Sequence, residues 1–364
     1  MAADILLFLV GLALAGLTLR DVFETVVVPG GSQAALRVAH RLRVVLLPPW
    51  KSLRGRRRGI SGAFGPVILV GSFIVWMSLL ALSFGLLAYA VRGDFSPPLQ
   101  TFGDAVYVAG SSLVTVGLSA SSPFGAARWV ILGAGFCGLG VMTMAVTYLL
   151  EVQSSIARRD TGIIKLNTSS GEPPSALTLL ERFAAIHNEP ELRELLSEGR
   201  NWCATVRQSH TAHPSLVYFQ SIGTGAGWPA ALGAMMDLGL LVEHCLDDDA
   251  LFGPAVLLQA EGLRMARELA LFNGLRLPDV AESETDLAQT VQRLSAAGYA
   301  VRPSPDLAAM AEKRSEYRRP IDALANHLGK PTAVLVRPDP ALAKGHRVAV
   351  DFDGRELGEE ALPE

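Results

Sequence analysis

The sequence predicts an all-α membrane protein. Its plan is a re-entrant-loop module with an extra N-terminal transmembrane helix, followed by an all-α cytosolic helical domain. Three observations carry this reading. First, residues 59–91 and 129–150 are uncharged runs, bounded by Arg58 and Arg92 and by Arg128 and Glu151. A bilayer crossing takes about 20 apolar residues, so each run is long enough. Second, residues 102–120 between them are less apolar and rich in Ser and Gly. Non-helical backbone is tolerated at membrane depth only where it is buried in protein or lines water. Third, apolar residues recur at helical spacing after residue 175, and no alternating strand pattern precedes residue 330.

Bulk composition agrees. Half of the 364 residues are hydrophobic and 18% are charged. Mean hydropathy is +0.32, high for a soluble protein. The boundaries read as an N-terminal transmembrane helix over 1–31 and a basic cytoplasmic amphipathic segment over 32–59. The membrane module follows over 60–157, then a linker over 158–175, the helical domain over 176–329 and a flexible tail over 330–364. Cys137, Cys203 and Cys245 are widely spaced and odd in number, which suggests free thiols in a reducing compartment. The start, Met1-Ala2-Ala3-Asp4, lacks the basic region of a signal peptide, so the first apolar run reads as retained.

Residues 5–19 span only about 22 Å as a helix. They reach membrane thickness if Arg20, Asp21 and Glu24 lie near one interface. Arg20 and Glu24 are four apart and can pair on one helix face. Either these charges snorkel at the membrane edge, or they form a cluster packed against the rest of the module. Pro29-Gly30-Gly31 ends the helix.

Residues 32–47 can form a helix with Arg37 and Arg41 on one side, broken by Pro48-Pro49 and followed by Trp50. A basic amphipathic helix ending in Trp fits an interfacial position on anionic lipid near Arg37, Arg41 and Arg43; the alternative is a solvated loop. No acidic residue occurs between Glu24 and Asp94, while basic residues crowd 37–58. The positive-inside rule therefore puts this stretch in the cytoplasm. The N-terminus is then outside, the second helix (within 61–91) runs outward, and the third (about 126–157) runs back in. Arg158 and Arg159 mark its cytoplasmic exit. The expected location is the plasma (inner) membrane, multi-pass, with a cytoplasmic C-terminus.

Asp104-Ala105-Val106-Tyr107, followed by Ser112-Leu113-Val114-Thr115-Val116-Gly117, resembles the pore helix and filter of the potassium-channel pore family. The likeness covers about residues 60–157. It implies a pore-loop channel whose filter carbonyls replace the water around a monovalent cation, potassium or sodium, with no other cofactor. Thr115, Val116, Gly117, Leu118 and Ser119 occupy the filter. The expected cation ligands are the carbonyls of Thr115, Val116, Gly117 and Leu118. Ser119 stands where the family has a second glycine, Leu118 replaces its tyrosine, and Ala120 its acidic residue. If Ser119 is forced into a left-handed conformation the outer filter is strained, at about 1–2 kcal/mol. If the backbone turns away there, only the inner ion sites survive; that is the favoured alternative, with permeation of both ions open. One pore loop per chain implies a homotetramer. The competing reading is a non-conducting membrane sensor or scaffold.

The third helix carries Gly133, Gly135, Gly138 and Gly140. These are candidates either for a gating hinge or for close helix packing. Gly133, Cys137, Val141, Met144 and Tyr148 share a face and are candidates for lining a cavity. Further on, helices are expected from 177, over 190–208, 229–246, 254–272, 285–297 and 305–327, with proline near several starts. One strand is expected over 346–352.

Other chemistry finds little support. The glycine-rich stretch from Gly223 to Gly233 does not fit a dinucleotide fingerprint and reads as a loop entering a helix. His210 and His213 lack a third metal ligand. Asp247-Asp248-Asp249 lacks the spacing of a calcium loop. No nucleophile-elbow pattern is present, so an enzyme is not expected, nor a nucleic-acid partner.

Overall fold

The computed structural model describes residues 1–28, 36–54, 62–221, 225–279, 283–336, 349–350 and 356–357. It divides into two compact units. The first comprises Met1–Thr161, Ala204–Ile222 and Leu271–Gly274; the second comprises Gly162–Cys203, Gly223–Ala270 and Leu275–Glu364.

In the first unit, α1 (Ala2–Val26), α3 (Phe64–Ala90) and α5 (Gly125–Ser170) are the three described helices long and apolar enough to cross a membrane. α1 runs antiparallel along α3, and paired groups mark the alignment. Arg92 Nη1 meets Asp4 Oδ1 at 2.6 Å, Ser83 Oγ donates to Gly11 O at 2.9 Å, and Trp76 Nε1 donates to Asp21 Oδ2 at 2.8 Å. Gly11 permits this approach, since a Cβ there would lie 2.9 Å from the Ser83 carbonyl. The three charges expected to act together therefore separate. Arg20 pairs with Glu24 at 2.7 Å and is exposed, whereas Asp21 is fully buried.

α2 (Val38–Arg54) starts on Asp21, whose carboxylate accepts from Arg37 N at 2.6 Å and Val38 N at 3.2 Å. Residues 29–35 and 55–61, where the end of the first helix and part of the basic segment were expected, lie outside the described residues. The helix does not break at Pro48-Pro49 but continues to Arg54. Proline leaves carbonyls one turn back unbonded and usually ends a helix. Here tertiary packing holds the next turn: Trp50 is buried and stacks on Phe64 at 4.5 Å. Val38 lies near Trp76, Leu42 fills the space beside Gly71, and Trp50 meets Phe64. α2 thus runs antiparallel alongside the first half of α3.

α5 holds 46 residues, about 69 Å at the helical rise. It passes through Arg158 and Arg159 and ends only at Ser170, so the expected linker over 158–175 is mostly helix. Charged residues do not stop a helix; Gly171 (φ +73°) and Pro173-Pro174 do.

The second unit is helical: α6 (Ala176–Ile186), most of α7 (Glu189–Ala212), α8 (Gly227–Cys245), α9 (Asp249–Phe272), α10 (Glu284–Ala296) and α11 (Leu307–Leu328). α8 is buried along nearly its whole length and forms its centre. Asp237 within it accepts from Arg314 Nε at 2.8 Å and from the Tyr317 hydroxyl at 2.6 Å, tying α11 on. The tail is not free from its start. Ala333 and Leu335 are buried, and Leu335 O accepts from Ser175 Oγ at 3.0 Å, because these apolar side chains close over α8. Ala349–Val350 pairs antiparallel with Glu356–Leu357; the rest of the strand expected over 346–352, and Gly223, lie outside the described residues.

Candidate functional site: the re-entrant loop

The loop enters through α4 (Phe102–Leu113). Thr101 and Asp104 form a reciprocal cap: Thr101 Oγ1 accepts from Asp104 N at 3.1 Å, and Asp104 Oδ2 accepts from Thr101 N at 2.9 Å. Ala105, Val108, Ala109 and Leu113 recur at helical spacing and form the buried face. Gly85 of α3 lets that helix close on Val106, since a Cβ there would lie 2.6 Å from Val106 Cγ2.

α5 supplies the seat for the other end. A Cβ on Gly138 would fall 1.7 Å from the Leu113 carbonyl oxygen, and one on Gly135 would lie 3.3 Å from Ser112 Oγ. Ser112 Oγ also donates to Ile131 O at 3.0 Å. Two of the four hinge candidates are therefore where α4 ends against α5. Gly133 has only ordinary contact with Phe84, and Gly140 faces open space.

After α4 the backbone reverses at Thr115 (φ +60°) and Gly117 (φ +71°). Val116 N and Gly117 N both donate to Ser111 O, at 2.8 and 3.0 Å. In a trans peptide the carbonyl opposes the N–H. The carbonyls of Thr115 and Val116 therefore point away from α4. Leu118 points the other way. Its carbonyl accepts from Ser111 Oγ at 2.7 Å and so faces back to α4, because a half-buried hydroxyl at the end of α4 is within reach. Ser119 is not among the positive-φ residues, so the strained alternative does not arise. Its hydroxyl turns instead onto Ser121, donating to the carbonyl at 2.5 Å and accepting from the N–H at 3.0 Å.

The chain then pairs Ser122–Pro123 with Phe95–Ser96 and starts α5, where Asp94 Oδ2 accepts from Ala126 N at 3.0 Å. Asp94 closes the loop's outer end; as a bare Arg-Gly-Asp tripeptide its sequence carried no such hint.

The face of Gly133, Cys137, Val141, Met144 and Tyr148 packs largely against its own chain. Val141 is buried, and Cys137 and Met144 pack on the same core as Trp76, Leu80 and Phe84 of α3. The helix is apolar all round, so periodicity alone could not choose its inner face. The exposed stripe is instead Trp129, Leu132, Phe136, Leu139, Val146 and Leu150.

At the opposite end from the loop lies an assembly that sequence reasoning missed. The turn Pro214–Tyr218 and Phe219 dock on α3 and α5. Phe219 fills the notch at Gly65, where a Cβ would lie 2.6 Å from its ring, and Tyr218 meets Phe64 edge-on at 5.0 Å. Leu69, Val152, Leu216 and Phe219 share one buried cluster. Arg159, expected at a cytoplasmic exit, is buried and donates to Asp160 at 3.0 Å and Leu216 O at 3.3 Å. His213 meets Tyr148 at 5.1 Å, and His210 Nδ1 lies 2.9 Å from Val206 O. Burial, then the Arg159 charge, pushes His210 down to about 3, so it is neutral at ordinary pH. Burial lowers His213 too, against Glu151. Among the described residues no three His, Cys, Asp or Glu side chains group as a metal site.

With this geometry in place, comparison with known proteins is decisive for the loop. Residues 73–154 match the ion channel family. The matched stretch begins within α3, takes in α4 and the reversed backbone, and ends within α5. That stretch of the chain is therefore similar to an ion-channel domain. No curated protein and no solved structure matches the chain.

Proposed function

We propose that this chain is one subunit of a homotetrameric cation channel conducting potassium, with sodium poorly excluded. The observation that carries the reading is the reversed backbone at Thr115 and Gly117, which turns the Thr115 and Val116 carbonyls away from α4 inside the stretch matched to ion channels. Carbonyl rings strip and replace ion hydration, and such a ring takes four loops. Four copies are further supported by the exposed apolar stripe on α5, whose members recur three, four or seven residues apart. The column ends early because Leu118 is committed to Ser111 and Ser119 turns aside. Fewer coordinating oxygens favour weaker discrimination between the two ions.

The basic stretch from Arg37 to Arg58 favours a cytoplasmic side for that end of α3. On this topology the loop dips from outside, and the segment containing Phe219 braces the inner ends of α3 and α5. Arg37 and Arg41 are exposed beside Val44 and Val45, a surface suited to anionic lipid.

Reconstitution tests the reading. Liposomes carrying the full chain are expected to pass potassium and sodium down their gradients, and the detergent-solubilised protein to have the mass of a tetramer. Gly117→Ala should abolish flux while keeping that mass, since φ +71° strains any residue with a Cβ. A monomer, or a tetramer without flux, would favour a sensor or scaffold.

A further inference from the structure

We propose that Ser111 terminates the ion-coordinating column and thereby limits how well the filter separates potassium from sodium. The inference rests on the channel reading above.

Ser111 is tied to the filter segment through two different groups. Its backbone carbonyl takes the Val116 and Gly117 N–H groups, at 2.8 and 3.0 Å. That bond pair turns the Thr115 and Val116 carbonyls outward. Its side-chain hydroxyl lies 2.7 Å from Leu118 O, the next carbonyl but one beyond Val116, and pulls it the other way. One residue thus both builds the inner column and closes its outer end.

The hydroxyl has a second acceptor. It also lies 3.0 Å from Val108 O, one turn back in α4. A serine hydroxyl has a single proton to donate. It can therefore serve Leu118 or make the back-bond that serine commonly makes in helices, but not both at once. While the proton lies on Leu118, that carbonyl is held toward α4. When it lies on Val108, Leu118 is free to face the same side as Thr115 and Val116. The shorter contact favours the held state.

Removing the hydroxyl leaves the other function intact. Ser111→Ala keeps the backbone carbonyl that bonds Val116 and Gly117, and alanine suits a helix. It removes only the group that holds Leu118. A freed Leu118 carbonyl lengthens the column, and discrimination grows with the number and field of coordinating carbonyls.

The test is the reversal potential of the full-length channel in planar bilayers under opposed potassium and sodium gradients. Ser111→Ala is expected to raise the potassium-to-sodium permeability ratio several-fold. Ser111→Thr, which keeps the hydroxyl, should restore the wild-type ratio. If Ser111→Ala does not assemble, Ser111→Cys carries the same test, because a thiol fills the volume but donates weakly. Wild-type currents with an unchanged or lower ratio in the hydroxyl-free variant overturn the role given to Ser111 and leave the channel reading standing. A wild-type protein that passes no cation overturns both.

Discussion

α3 and α5 are alike in sequence but differ in how much of each their own chain covers. Both are long, apolar and uncharged through their membrane-length parts. α3 is covered by its own chain on one side: Trp76 is 1% exposed, between Asp21 of α1, the start of α2 and the core shared with α4 and α5, while Val67, Val70, Ile74 and Leu82 on another side are exposed. α5 offers α4 a seat on one side and leaves a stripe bare on another, where Phe136 is 78% exposed. An all-apolar helix must be covered by protein or by lipid, and its composition does not say which. The difference teaches that α5, the less covered of the two, leaves the larger bare stripe for lipid or another protein to cover. On the tetramer reading, that is a neighbouring copy.

The strongest way to break this comparison is to spoil the seat on α5. Gly138→Ala places a Cβ against the Leu113 backbone carbonyl, which has no flexible end to yield. Overpacking a well-packed site typically costs about 1–3 kcal/mol, and a backbone clash belongs at the upper end. α4 should be displaced, with flux lost and the unfolding temperature lowered. Retained flux in a stable Gly138→Ala channel would show that α4 does not rest there.

A smaller effect is expected on the α3 side. Asp21→Ala strands two buried donors, Val38 N–H and Trp76 Nε1–H. Each unpaired buried donor costs about 1–3 kcal/mol. Asp21→Asn keeps one acceptor oxygen and should fall between wild type and alanine in thermal unfolding. Equal stability of all three would mean that Asp21 does not pin α2 and α3 together.

Legibility in the sequence followed the same divide. The membrane helices, the re-entrant loop and the helices after residue 175 were readable because hydrophobic runs and helix-breaking residues are local signals. Thr115-Val116-Gly117 also marked the place where the backbone reverses after α4. What escaped was set by contacts distant in sequence. Asp21 reads as a charge at a helix end until Trp76 is seen donating to it, 55 residues away. Pro48-Pro49 reads as a stop until Trp50 is seen stacked on Phe64. Leu118 reads as a coordinating carbonyl until the Ser111 hydroxyl is seen to claim it. The face of α5 containing Val141 was misassigned because an all-apolar helix has no polar side to orient it.

The bare stripe can be tested without disturbing either helix's own packing. Phe136→Ser removes a large apolar side chain that touches little within the chain. Its thermal unfolding as an isolated subunit should be unchanged. The concentration at which tetramers dissociate in detergent should rise about tenfold, the equivalent of roughly 1.4 kcal/mol. An unchanged assembly would assign the stripe to lipid instead.

The smallest expected effect is the most discriminating for gating. Gly140 lies two residues from Gly138 on the same helix, yet a Cβ there would meet nothing within 4 Å. Gly140→Ala is thus free of the clash that makes Gly138→Ala severe. Alanine is favoured over glycine in a helix interior by about 1 kcal/mol, so the variant should be as stable as wild type or slightly more so. Its flux measures whether α5 needs a weak point at this position. A packing glycine predicts the same tetramer, the same ion preference and the same open probability. A hinge predicts an unchanged tetramer with altered open probability, because the added helix propensity stiffens the bending point. Single-channel recording separates the two. We expect no change in open probability, since among Gly133, Gly135, Gly138 and Gly140 the close approaches are those of Gly135 and Gly138 beneath α4, and Gly140 meets nothing.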